Sequence, residues 1–258
     1  MNLRFRAWAL LLPLVALAAG CEKDADPATV ATGSVALDLT HVVGTAPLAF
    51  DGTRYTKADG QTFQVTKFKY LLSNVQLLRA DGTAYAAPES YYLVDAAKTA
   101  TLHLVVPGVP LADYTGLRFV VGVDAARNTA GAQTGALDPN NDLYWDWTAG
   151  YVFLKMEGTS PQAPHPAAAT EGGLRFHVGD NGTQRTITFA AAPLAVSATQ
   201  APTVHLRVNV LALFDNAGAP SKNIDFSKIS DAMGGVSAPL VADNYAAGLF
   251  TLERVASN

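Results

Sequence analysis

A single cysteine, at position 21, occurs in the 258 residues. The chain can therefore make no internal disulfide and no multi-thiolate metal cage, and its chemistry falls to histidine, carboxylate, amide and aromatic side chains. Charge is also scarce: 16% of residues are charged, against about 25% in an ordinary soluble domain. The net charge is −4 and no Lys/Arg-rich run is present, which excludes the basic stripe on which nucleic-acid binding rests. Catalytic signatures are missing as well. There is no G-x-S-x-G elbow, no P-loop, no G-x-G-x-x-G behind a strand, no H-E-x-x-H and no H-x-H. Neither a nucleophile–base pair nor a zinc centre is written in the spacing, so the chain reads as a non-enzyme.

The N-terminus has a direction of its own. Met1-Asn-Leu-Arg-Phe-Arg6 is followed by an apolar run from Ala7 to Ala19 and then Gly20-Cys21. A positive start and an apolar stretch shorter than the ~20 residues of a spanning helix describe an export signal. The lone cysteine after Leu17-Ala-Ala-Gly20 resembles the lipobox of bacterial lipoproteins, with Ala18 where leucine is usual. That resemblance implies a signal peptide over residues 1–20, a lipid on Cys21, and a polar tether over 21–33. The expected location is the cell envelope of a Gram-negative bacterium, periplasmic or at the outer membrane, held by the lipid alone.

From Ser34 onward the dominant period is two. Val35, Leu37, Leu39, His41 and Val43 form one face; Leu117, Phe119, Val121 and Val123 form another; Val204, Leu206, Val208 and Val210 a third. Further strand-like runs are Thr66–Leu78, broken at Ser73-Asn74, then Tyr91–Val94, Leu102–Val106, Tyr144–Met156, Leu174–Val178, Arg185–Phe189 and Gly248–Val255. Turn dipeptides such as Asp51-Gly52, Asp81-Gly82 and Asn181-Gly182 punctuate them. The spacing predicts a hairpin from Leu174–Val178 to Thr183–Phe189 through Gly179-Asp-Asn-Gly182. One segment has helical spacing: Phe226, Ile229 and Met233, capped by Asp225 and stopped by Gly234-Gly235. The fold class is all-β: an antiparallel sandwich, or a barrel-like Greek key, with one short C-terminal helix, forming a single domain over 34–258.

Candidate functional residues are few. Trp145 and Trp147 in Tyr144-Trp-Asp-Trp147 share one face at period two, on a strand continuing through Gly150. His41 is in phase with the inward face of its strand, and His177 precedes the Gly179 turn. His103 and His205 sit on exposed faces, and His165 lies in the Pro/Ala/Gly loop 161–173. The carboxylates and amides of Asp138-Pro-Asn-Asn-Asp142 alternate as calcium ligands do, without the glycine and glutamate of an EF-hand, and a plain turn is the commoner use.

Taken together, several motifs resemble the MbnP-like family of bacterial periplasmic copper-binding proteins, with MopE and CorA as functional relatives. They are His41-Val-Val-Gly44 with Pro47-Leu48, Leu72-Ser-Asn-Val-Gln-Leu77, Tyr92-Leu-Val-Asp95, Val121-Gly-Val-Asp124 with Asn128, and Leu137-Asp-Pro139. The most specific is Trp145-x-Trp147-x-x-Gly150-Tyr-x-Phe-x-Lys-x-Glu-Gly158, followed by Phe176-His-x-Gly179. The resemblance implies one bound copper ion, as Cu(I), held by imidazole nitrogens. It also implies a tryptophan oxidised to kynurenine by a dihaem partner enzyme of the MauG type, and a role in copper acquisition or handling. Carried onto this chain, His41 and His177 are the candidate ligands, with His205 and His103 in reserve. Trp147 or Trp145 is the oxidisable residue, with a slight preference for Trp147, and Asp124 or Asp146 would support a ligand imidazole. The competing expectation is a metal-free module that binds a glycan or a protein through its Trp/Tyr patch.

Overall fold

Alternating apolar residues become two stacked sheets in the computed structural model, which describes residues 30–146 and 149–257. The leader, Cys21 and Trp147 lie outside the described residues. The principal strands are β1 (Thr32–Val43), β2 (Thr62–Leu78), β3 (Tyr91–Asp95), β4 (His103–Pro110), β5 (Gly116–Val121), β6 (Tyr144–Asp146) and β7 (Gly150–Ser160). They continue as β8 (Gly172–Gly179), β9 (Arg185–Phe189), β10 (Thr203–Asn209) and β11 (Phe250–Ala256), with helices α1 (Ala125–Asn128) and α2 (Ser237–Gly248).

In the smaller sheet β1 lies between β4, antiparallel to it, and β10, parallel to it, while β11 pairs with β10. The larger sheet runs β9–β5–β2–β7–β8. Its organiser is β2, which pairs with β7 over Gln64–Tyr70 and with β5 over Leu72–Leu78. The register shifts between Ser73 and Gln76, where Asn74 adopts φ 52°. Asparagine enters that left-handed region more readily than most residues, and the break expected at Ser73-Asn74 is this pivot.

One apolar cluster fills the space between the sheets, joining Val35, Leu37 and Leu206 to Phe68, Tyr70, Met156 and Phe176. Within it the rings of Phe63, Phe176, Phe214 and Phe226 meet at 5.0–6.3 Å. Each such pair adds about 0.5–1.5 kcal/mol beyond its burial. A second cluster comprises Leu71, Val123, Leu137, Leu143, Tyr151, Val152 and Phe153. Leu71 alternates with the inward Tyr70 and Leu72, so this cluster lies on the outer face of the larger sheet. Residues 122–146 fold across that face, and Tyr151 Oη donates to Leu137 O at 2.7 Å.

Three local expectations need correction. Phe226–Met233 is no helix: Asp225 caps a short turn by accepting from Ser227 N at 3.0 Å, Phe226 is buried among the other rings, and Asp231–Ala232 pairs with β8. The helix is α2 instead, whose buried Ala238, Val241, Ala242 and Tyr245 repeat at helical spacing, with Pro239 in the first turn where its missing N–H costs nothing. The turn at Gly179–Gly182 exists, but its flanking strands do not form a hairpin: β8 pairs with β7, and β9 with β5. Nor does one strand run from Tyr144 to Met156. It reverses, with Tyr144 opposite Tyr151 and Asp146 opposite Gly150.

The β2–β7 contact is the closest met at any described glycine. A Cβ on Gly158 would lie 2.0 Å from Gln64 O, at a register shift in that ladder. Gly158→Ala is expected to cost about 1–3 kcal/mol, the usual price of overpacking, measured by urea unfolding. Gly173→Ala, with nothing within 4 Å of its Cβ, is the control and should shift stability by less than about 0.5 kcal/mol.

Candidate metal centre

His177 stands on β8 between the buried Phe176 and Val178, so its imidazole projects from the outer face of the larger sheet. Pairing sets Lys155 opposite His177 and Lys69 opposite Lys155. Glu157, two pairs along and on the same face, accepts from His177 Nε2 at 2.8 Å. A carboxylate can only accept, so the proton sits on Nε2 and the lone pair on Nδ1. Burial lowers the pKa of His177, and the Glu157 hydrogen bond offsets this only in part. The imidazole is therefore neutral, and available as a donor, at neutral pH.

The surrounding charges are already satisfied. Asp142 accepts from Lys155 at 2.7 Å and from Lys67 at 2.9 Å, and Lys67 also lies 3.4 Å from Glu157. Desolvation pushes the Asp142 carboxyl up, but the two lysines outweigh it and hold its pKa at about 2. Asp138 accepts from Asn140 N at 2.8 Å. In the Asp138–Asp142 turn the Asp142 charge is thus met by two lysines and Asp138 is engaged by the backbone.

Trp145 reaches the same face from β6. A Cβ on Gly179 would come within 2.7 Å of Trp145 Cζ3, so the indole lies directly over that glycine. Gly179 follows His177 by two residues on β8, next to a register shift in β7, and Trp145 packs against the outer-face cluster of Leu71, Tyr151 and Phe153. Sequence and sheet together therefore place His177 and Trp145 on one side of β8. The ring borders a cleft of about 580 Å³ whose walls include Asn128, Asp146, Asp180, Asn181 and Met233. Asn128 ties the walls together, accepting from Tyr151 N at 2.8 Å and donating to Asn181 at 2.9 Å. Gly150, at φ 76°, turns the chain from β6 to β7 against Asn128, where a Cβ would meet Asn128 O at 2.5 Å.

The other candidates fall elsewhere. His41 points between the sheets, its ring 5.7 Å from Phe68 and its Nε2 3.0 Å from Tyr70 Oη. The larger sheet stands between His41 and His177, so these two do not form one two-histidine site. Asp124 caps α1 through Arg127 N and accepts from Tyr91 Oη. Asp146 accepts from Ala149 N at 2.8 Å and lines the Trp145 cleft. The carboxylate that orients His177 is Glu157, which the sequence motif contained but which only the β7–β8 register identifies. His165 is exposed, near Pro166 O. Among the described residues, no three His, Cys, Asp or Glu side chains form a ready-made metal cage.

His41 has a different consequence. Its Nδ1 is buried without a partner among the described residues, and burial lowers its pKa to about 4. In the unfolded chain it titrates near 6.5, so between pH 6.5 and 4 the unfolded state binds more protons. The associated stability is fully present above pH 6.5 and is lost as pH falls through 4, amounting to about 3 kcal/mol at 1.36 kcal/mol per pKa unit. Denaturant unfolding of the full chain across this range should show that decline. His41→Phe should flatten it; an unchanged slope in the variant would assign the decline to other groups.

Comparison with known proteins follows the same outline. Among curated proteins, none matches the chain significantly. Among solved structures it resembles MbnP from Methylosinus trichosporium at 15% identity, with a TM-score of 0.52, over 88% of this chain and 99% of that one. At that identity the likeness concerns the fold, which the two share. The MbnP family model matches residues 32–234, from the start of β1 to the glycine that follows Met233 in the cleft. On that match, the chain belongs to the MbnP family.

Proposed function

We propose that this protein is a copper-binding lipoprotein of the cell envelope, anchored through Cys21, and that it takes up Cu(I) on the outer face of the larger sheet. The reading rests on one observation: His177, held neutral and oriented by Glu157, lies on the same outer face of the larger sheet as Trp145. A ligand imidazole whose second nitrogen donates to a carboxylate is a common arrangement in metal sites. Imidazole suits copper, and the Met233 thioether in the Trp145 cleft is a soft donor of the kind Cu(I) favours. The residues present therefore fit the metal. His177 would hold it, with Met233 and the indole position at its side. When bound, the ion supplies redox and transfer chemistry. The chain supplies the orienting carboxylate, the neutral imidazole and a partly enclosed cleft.

In this proposal Trp145 or Trp147 is the residue oxidised to kynurenine, by a dihaem partner enzyme of the MauG type. Its new amine and carbonyl groups would add nitrogen and oxygen lone pairs that the indole does not offer a metal. The protein itself performs no turnover; it acquires or hands on copper. A second reading has one specific observation in its favour. The Trp145 cleft also carries Asp180, Asn181 and Asn128, a pairing of aromatic face and polar rim that suits a sugar ring.

Cu(I) competition titration of the full chain, with the mass of the Trp145–Trp147 peptide taken from the same preparation, separates the two readings. One-to-one binding should weaken at least about 10-fold in His177→Ala and in Glu157→Gln, while His41→Phe leaves it unchanged. Copper affinity unaffected by His177→Ala, in protein with either intact or oxidised tryptophan, sinks the copper reading. Metal-independent glycan binding lost in Trp145→Ala would then favour the second.

A further inference from the structure

The outer face of the smaller sheet carries a separate constellation. Asp38 on β1 is paired with His103 on β4 and with His205 on β10, so the three residues form one row across three adjacent strands. The row is joined by contacts as well as by register. Asp38 Oδ1 lies 2.6 Å from His103 Nδ1, and Asp38 Oδ2 lies 3.6 Å from His205 Nδ1. All three side chains reach solvent: His103 is 59% exposed, Asp38 36% and His205 21%.

We propose that this row is a second metal site, taking a borderline divalent cation such as Zn²⁺ between the two Nδ1 atoms and the Asp38 carboxylate. The donor set, two imidazoles and one carboxylate, is one that zinc uses. Bonds of about 2.0–2.2 Å at tetrahedral angles set neighbouring ligand atoms about 3.3 Å apart. The observed separations of 2.6 and 3.6 Å bracket that value, so side-chain rotation alone opens the site while the ladders fix the backbones. It is not a ready-made cage, because the His103–Asp38 contact closes it.

The protons balance. A carboxylate accepts only, so His103 Nδ1 carries the proton in the closed row. Metal binding needs the Nδ1 lone pair, and the proton moves to the solvent-facing Nε2 of the same ring. The fourth position is left to water. The cation's nearest opposition is Arg254, paired with His205 and 3.4 Å from its Nδ1. The next basic group on this face, Arg207, lies 3.8 Å from Glu253. Arg254 is long and sits on the edge strand β11, free to turn outward as the metal enters.

This site does not depend on the copper reading, because the core and the larger sheet separate it from His177. The test is a chelator competition with Zn²⁺ on the untagged full chain at pH 7.5, on His103→Ala, His205→Ala, Asp38→Asn and His177→Ala. Thermal melts confirm that each variant is folded. The expected result is one Zn²⁺ bound, at least about 10-fold more weakly in each of the first three variants and unchanged in His177→Ala. Zn²⁺ affinity that survives both His103→Ala and His205→Ala overturns the assignment. So does loss of affinity in His177→Ala alone, which would put the ion on the opposite face, and so does the absence of any Zn²⁺ binding.

Discussion

The architecture depends on one strand being used twice. β2 gives its first half to β7 and its second half to β5, changing partners at Leu71, and the left-handed Asn74 then shifts the register of the second ladder. Everything on the larger sheet takes its position from that arrangement. The β7 ladder fixes the β8 register, which sets Lys155 opposite His177 and brings Glu157 to its Nε2. A one-residue slip would exchange the two faces of β7 and β8, burying the lysines and exposing Phe176. Apolar packing between the sheets forbids that slip, and so the polar site is held by the core beneath it.

Parity then divides the histidines into three kinds. His41 faces inward and loses basicity through burial, with one nitrogen left unpartnered among the described residues. His177 faces outward into a lysine- and carboxylate-rich patch under a partial roof. His103 and His205 face outward on the other sheet, the first exposed and the second partly covered, with a carboxylate between them. The same side chain is thus a core element, a shielded donor or a surface donor according to which face of which sheet it occupies. Only the latter two combine a usable lone pair with access.

Much of the sandwich was legible in the sequence because period-two alternation reports burial directly. Val35, Leu37, Leu39, Leu117, Phe119, Val121, Val204, Leu206 and Val208 are all buried as their phase implies. Partner choice was not legible, because alternation says which face is apolar and nothing about which strand lies alongside. Hence the turn at Gly179–Gly182 has the spacing of a hairpin although β8 and β9 join different neighbours. The misplaced helix has a similar cause: Phe226 is apolar because the core needs it, Ile229 packs against the same cluster and Met233 stands exposed, so their helical spacing is a coincidence. At the site, the motif that ends in Lys-x-Glu-Gly158 held Glu157, yet its role follows from a diagonal contact across β7 and β8. The separation of His41 from His177 follows from the layer order of the sheets, which no local pattern encodes.

The position of β1 has a mechanical consequence. It is the first strand of the described chain and lies between two hydrogen-bonded neighbours, parallel to one and antiparallel to the other. A pull on the segment preceding Thr32 enters along the axis of β1 and loads both ladders in shear, where their hydrogen bonds must break together. An edge strand peeled from its end would yield one bond at a time. Tension from the N-terminal side is therefore met by the strongest geometry the smaller sheet offers, and the large sheet with its cleft is spared the load.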